Sequence, residues 1–210
     1  MYGLAIHTTT PDLGIAIANF ADDNRWQTWH VGRDLFSQMH SRLAEFIQPQ
    51  TWQDIGFLAV AKGPGSFTGT RIGVVTARVL AQQLDIPIFA ISTLAGLAKA
   101  YWQQQPSLSP ETDIAVQMPA RGDRLFTAIY KQSPQTGTLT TLLADRVVTW
   151  ETWQKTLSTW SSHYHLVRGE NEENIAKSVE ALLALAYCQW QQGEKPTWEQ
   201  AIPFYGYKPY

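Results

Sequence analysis

Short apolar runs separated by polar turns open the chain. Leu4 to His7 is strand-like, Thr8 to Asp12 carries turn chemistry with Pro11, and Gly14 to Phe20 is a second apolar run. Ala21 to Asn24 is another polar turn, and Arg25 to Val31 alternates as a half-exposed strand, so a three-stranded meander is expected. Phe36, Met39, His40, Leu43, Phe46 and Ile47 recur at helical spacing, which places His40 on the buried stripe. Phe57 to Ala61 fits a buried strand. The pattern then predicts a helix from about Thr70 to Leu84, a strand over Ile86 to Ile91, and a helix capped by Ser92 or Thr93 that runs to about Gln104.

The polar, proline-containing stretch from Gln103 to Pro110 is the natural lobe boundary, dividing residues 1–105 from 106–210. Beyond it, Ile114 to Met118, Leu125 to Lys131 and Leu142 to Trp150 read as strands. Glu151 to Trp160 reads as a helix, His163 to Arg168 as a strand and Asn171 to Gln192 as one long helix. Strands followed by alternating helices, twice over, predict an α/β chain built by duplication with one sheet per lobe.

Composition narrows the function classes. Hydrophobic residues make up 44% of the chain and charged residues 16%, which leaves apolar surface that a partner can cover. The nine tryptophans fit core and edge packing first and an interface second. Net charge is −2 and the 16 Lys and Arg residues form no dense run, so independent binding to nucleic-acid phosphates is not expected. The single cysteine, Cys188, excludes an internal disulfide framework and reads as a small buried hydrophobe. No apolar run approaches the roughly 18 residues that span a bilayer, and a cytoplasmic protein without membrane attachment is expected.

The most specific feature is KGPGSFTGTRIG, Lys62 to Gly73, between a buried strand and a helix N-terminus. Gly63, Gly65 and Gly69 permit positive φ and close backbone approach, while Ser66 or Thr68 can cap the helix. Free amides at the positive end of a helix dipole suit a phosphate or carboxylate, which makes Gly63, Gly65, Ser66, Thr68 and Gly69 a candidate ATP or ADP loop. A capped turn under packing constraint explains the same residues. The GK[ST] ending of a P-loop is missing.

The wording of this segment resembles the signature of the TsaB (YeaZ) family, within the actin-like, sugar-kinase-like ATPase (ASKHA) superfamily. LAIHTTT (Leu4 to Thr10) is similar to the family's opening LAIDTS/T. PIFAISTL (Pro87 to Leu94) is similar to its strand-to-helix junction, PARGD (Pro119 to Asp123) to its DAR.gE segment and PFY (Pro203 to Tyr205) to its closing P.Y. The resemblance implies a two-lobed fold with a mixed sheet and helices in each lobe. It also implies a cytoplasmic complex with TsaD and TsaE, and a role in threonylcarbamoyladenosine (t6A) formation at adenosine 37 of tRNA.

Departures from that pattern weaken an enzyme reading. His7 stands where the superfamily places an acid at the end of the first strand, and Pro119 stands where the second lobe's aspartate is expected. Magnesium prefers hard oxygen ligands, so neither replacement seats a metal–nucleotide pair, although Asp12 and Asp123 lie nearby in sequence. A hydrogen-bonded structural role is expected for His7. His163 and His165 alternate on one strand face but lack a third ligand. No G-x-S-x-G elbow, HxxxH or HExxH occurs, so neither a serine hydrolase nor a zinc protease has a chemical basis. The expectation is an accessory subunit with no catalytic residue, no metal and no required cofactor; a small-molecule kinase or ATPase, or a nucleotide sensor without turnover, are the competing readings.

The helix from Thr70 to Leu84 is apolar nearly all round, which calls for cover on two sides. Its outer cover can be a neighbouring helix or another subunit, and the resemblance places the TsaD contact there. Met39, Leu43, Thr70, Val74, Ala77, Arg78 and Ala81 are the contact residues expected on these two helices, with a homodimer through the same surface when the partner is absent. Contact with tRNA is expected only through the complex.

Overall fold

In the computed structural model, residues 1–109, 111–170 and 172–206 are described. The first five strands are β1 (Tyr2–His7), β2 (Asp12–Ala18), β3 (Asn24–His30), β4 (Ile55–Ala61) and β5 (Ile88–Ile91), in the order β3-β2-β1-β4-β5. β1 runs antiparallel to β2 and parallel to β4. The second sheet, β6 (Asp113–Pro119), β7 (Arg124–Gln132), β8 (Leu139–Thr149) and β9 (Tyr164–Arg168), has the order β8-β7-β6-β9. There β6 runs antiparallel to β7 and parallel to β9. Each sheet is thus a meander whose first strand takes a parallel neighbour after a helix: α1 (Leu35–Phe46) in the first and α4 (Trp150–Ser158) in the second. This α/β architecture, one mixed sheet per lobe, is the fold class expected from the sequence.

Layering follows from side-chain size. One face of the first sheet carries Leu4, Ile6, Ile15, Ile17, Leu58 and Val60, which pack under α1 and α2 (Phe67–Leu84). The opposite face carries Ala5, Ala16, Ala18, Ala59 and Ala61. These short side chains leave room for α6 (Val179–Gln191), which lies across β1, β2 and β4. α3 (Thr93–Gln104) packs against α6 and against the strands of the second sheet. α3 and α6 therefore form a middle layer between the sheets, each lying on the sheet that its own half of the chain did not build. The outer face of the second sheet is closed by Trp153 and Leu157 of α4, with the Trp153 indole N–H donating to Gln117 Oε1 at 2.9 Å.

Several boundaries differ from the sequence pattern. α2 begins at Phe67 rather than Thr70, because Ser66 accepts a hydrogen bond from the Gly69 amide and so starts the helix one turn earlier. The long helix expected from Asn171 is divided into α5 (Glu172–Lys177) and α6, with Ser178 at the break and its hydroxyl turned back to the Ile175 carbonyl at 2.6 Å. Asn171 itself, and Pro110 of the expected boundary, lie outside the described residues. His40 is exposed rather than on the buried stripe, which Leu35, Met39 and Leu43 form. Cys188 is half-buried. Among the described residues, no helix is long and apolar enough to cross a membrane.

The edge of the first sheet is fastened by one cation. Arg25 pairs with Asp23 at 2.6 Å and donates to the carbonyls of Phe46, Ile47 and Gln48 at 3.3, 3.2 and 2.9 Å. Those carbonyls end α1 and have no helical donor of their own, so a guanidinium there satisfies them and complements the helix dipole. The hydrogen bond from Arg25 also holds the Asp23 carboxyl below the usual carboxylate range. Arg25→Met should lower the unfolding free energy by about 1–2 kcal/mol in urea denaturation, the scale of a partly exposed charge-assisted network.

Candidate interlobe cleft and helix surface

The carboxyl ends of β1 and β4 face the equivalent ends of β6 and β9 across the lobes. The turn after β1 contributes Thr9 and Pro11, and the loop after β4 contributes Gly65 and Phe67. From the second lobe come Pro119 at the end of β6, Arg121 after it and Glu170 after β9, lining a cleft of about 460 Å³. Ligands of α/β sheets characteristically bind at such strand ends.

The glycines of the loop are engaged mainly by the chain's own backbone. Gly63 adopts φ +99°, and a Cβ there would run into the Phe204 carbonyl. On α2, a Cβ at Gly69 would strike the Thr8 carbonyl, and one at Gly73 the Thr8 hydroxyl. The bare helix face thus lets the turn after β1 lie directly on α2, where the Thr8 hydroxyl donates to the Gly69 carbonyl at 2.8 Å. Gly65 sits in the cleft wall against Thr9, and the Ser66 amide donates to the Thr9 carbonyl at 2.7 Å. Ser66 and Thr68 are exposed. The amides of Ser66, Gly69 and Thr70 are already spent inside the chain, on Thr9, the Ser66 hydroxyl and the Ser66 carbonyl respectively.

His7 is fully buried at the root of this turn. Burial pushes its imidazole down to about 3, so it is neutral near pH 7. Its Nε2 lies 3.4 Å from the Thr9 hydroxyl, which also receives the Thr93 hydroxyl at 3.2 Å. Nδ1 has no hydrogen-bond partner among the described residues. Asp12 does not reach the cleft: its carboxylate is 2.6 Å from His30 Nδ1. Asp123 is exposed and outside the cleft lining, where Glu170 is the one carboxylate among the described residues. His165 meets the Tyr101 hydroxyl at 3.2 Å rather than joining His163, and the described residues include no group of three or more His, Cys, Asp or Glu side chains arranged for a metal ion.

The residues expected to meet a partner face inward, with one exception. Met39, Leu43, Thr70, Val74, Ala77 and Ala81 are buried in the protein's own core beneath α1 and α2. A charge at Val74 would therefore disrupt the fold rather than an interface. Arg78 is half-exposed over the Trp198 ring, 5.3 Å from its centroid. The outward ridge of α2 is one position away, at Phe67, Arg71, Val75 and Val79, spaced every four residues. Phe67, Val75 and Val79 are 55%, 49% and 51% exposed, and Phe36 on α1 is 72% exposed. The sequence missed this ridge because α2 is apolar on both faces, so periodicity alone could not say which face was outside.

A family model described as TsaD, tRNA N6-adenosine threonylcarbamoyltransferase, matches residues 44–192. The chain is 39% identical over 105 residues to the tRNA threonylcarbamoyladenosine biosynthesis protein TsaB of Bacillus subtilis, covering 50% of this chain and 42% of that one. It is 35% identical over 79 residues to TsaB of Escherichia coli, covering 38% of this chain and 32% of the relative. The chain belongs to this family, in its TsaB (YeaZ) branch. It spans less than half the length of those two curated relatives. Among solved structures, YeaZ from Pseudomonas aeruginosa superposes with a TM-score of 0.75 at 22% identity, covering 97% of this chain and 99% of that chain. A P. aeruginosa protein described as similar to peptidase YEAZ gives 0.77 at 21% identity, covering 98% and 99%. At these identities the two structures show the fold alone.

Gly73→Ala should cost about 1–3 kcal/mol in thermal or urea unfolding through overpacking on Thr8, with part recovered in the Thr8→Ala, Gly73→Ala double variant. For His7 the folded group titrates below the unfolded one, so the unfolded chain takes up the proton first as pH falls from about 6.5 towards 3. Stability from this residue is complete above that window and declines by about 1.4 kcal/mol per pH unit within it. His7→Gln should consequently show a shallower loss of stability between pH 6 and pH 4 in denaturation series.

Proposed function

We propose that the chain is a non-catalytic accessory subunit of t6A formation on tRNA, which binds a TsaD-type chain and holds it competent for threonylcarbamoyl transfer. The observation that carries this reading is the ridge of Phe67, Arg71, Val75 and Val79 on α2, beside Phe36 on α1. Large exposed apolar side chains on a helix that already fills its own core on the other face suit a helix-to-helix contact with another subunit. The names of the TsaB relatives support the pathway, and the match of this chain itself to a TsaD-described family model supports a partner of like fold packed helix against helix. TsaE is the further partner in this reading, tRNA is met through the complex, and the working compartment is the cytoplasm. The same ridge would serve a homodimer when TsaD is absent.

The lobes are proposed as residues 1–105 and 106–210, each contributing one sheet and lending its last helix to the other. ATP or ADP against Gly63, Gly65, Ser66, Thr68 and Gly69 is the competing reading, favoured by the glycine-rich wall of the cleft. Against it stand the Ser66 and Gly69 amides, already used within the chain, and first-strand ends that carry a buried, neutral His7 and Pro119 in place of carboxylates.

Val75→Asp with Val79→Asp should weaken binding to TsaD by about two orders of magnitude in titration calorimetry while leaving the melting temperature nearly unchanged. Unaltered affinity would overturn the assigned surface. Magnesium-dependent ADP binding that is lost in Glu170→Gln would instead favour the nucleotide reading.

A further inference from the structure

A second cavity of about 560 Å³ opens on the other side of the C-terminal segment, with Phe204 in its wall, while Tyr205 faces the cleft described above. Its volume falls within the roughly 300–1,000 Å³ of small-molecule sites. Both edge strands contribute: Ile91 at the end of β5 from the first lobe and Asp145 on β8 from the second. Asp145 is the polar centre. Its Oδ2 receives the Ser92 hydroxyl at 2.5 Å and its Oδ1 the Tyr130 hydroxyl at 2.5 Å. Ser92 is itself oriented by the Leu94 amide, 3.1 Å from its oxygen at the start of α3. Burial, and then the charge of Asp145, push the Tyr130 phenol well above its ordinary range, so it remains a donor.

Two neutral hydroxyls orient this carboxylate without neutralising it. No cationic side chain among the described residues lies within 4.0 Å of it; Lys62 lines the same cavity but stands beyond ion-pair reach. A half-buried carboxylate with its geometry fixed, lone pairs left over and an open cavity in front of it is a receptor for a cationic group. Glu194 on the rim adds a second negative charge, and Gln189 an amide for polar contacts.

We propose that this cavity binds a small molecule bearing an ammonium group, with Asp145 as its counter-ion and Ser92 and Tyr130 holding the carboxylate in place. The site is separate from the helix ridge and from the glycine loop, and does not depend on the role assigned to either. A ligand bound here would touch β5, β8 and Phe204 together, and so would stabilise the closed seam between the lobes.

Titration calorimetry and thermal shift of the full chain with spermidine, L-lysine and L-serine, against citrate as an ammonium-free control, test the assignment. At least one ammonium probe should bind saturably and raise the melting temperature, and citrate should not. Asp145→Asn, which keeps the size and one acceptor oxygen, should weaken binding at least tenfold. Tyr130→Phe, which leaves the charge, should weaken it by less. Absence of saturable binding by all three probes would overturn the proposal. So would binding retained in Asp145→Asn but lost in Lys62→Met, which would make the site anion-binding. Equal loss in Asp145→Asn and Tyr130→Phe would also overturn it, reducing the trio to a structural tie between the lobes.

Discussion

The threonine turn after β1 lies directly on the backbone of α2, and Gly69 and Gly73 are what permit it. The contact fixes the distance from the end of β1 to the first turn of α2, and with it the shape of the interlobe cleft. It also fixes the rotation of α2 about its axis. With Gly69 and Gly73 turned towards Thr8, and Val74, Ala77 and Ala81 set into the core, Phe67, Arg71, Val75 and Val79 must point outward. A glycine pattern that invites a phosphate-loop reading therefore also orients a surface.

The same turn explains the tolerance for His7. Enclosed by the first sheet, the Thr9 hydroxyl and the middle layer of helices, the imidazole is neutral and the strand end carries no charge. Pro119 gives the opposite wall an uncharged rim, and Asp12 is held by His30. The cleft keeps the outline of a ligand site at matched strand ends, but neither first-strand end offers a carboxylate. Such a cleft can hold the two sheets in a fixed relation, which suits the proposed accessory role.

Much of this was legible in the sequence because it is local. Alternation and turn residues placed the nine strands of the described residues, and of the two candidates for the cap of α3, Ser92 and Thr93, it is Ser92 that makes it. Two helix boundaries moved on short-range bonds: of the two candidate caps Ser66 is the one that accepts from the Gly69 amide, and the helix after β9 breaks where the Ser178 hydroxyl turns back to the Ile175 carbonyl. Arrangements that depend on distant partners left no local pattern. α3 and α6 lie on each other's sheets, an exchange permitted by Ala5, Ala16, Ala59 and Ala61, whose spacing alone says only that a strand is buried. Most of the residues expected at a partner contact are buried instead, because Val74 and Val75 are equally apolar and only packing tells which of them faces out. The Ser92, Tyr130 and Asp145 cluster, drawn from three separate segments, had no signature at all.

Under the proposed function this chain contributes a contact, not a reacting group. The most direct measurement of this is the t6A content of bulk tRNA in cells whose own copy of this chain is replaced by the Glu170→Gln, Asp123→Asn double variant. That variant removes the one carboxylate that lines the cleft among the described residues, together with the exposed Asp123, and leaves α1 and α2 untouched. The expected result is t6A indistinguishable from wild type. Loss of t6A from cells in which the variant is folded and still associates with TsaD would contradict it.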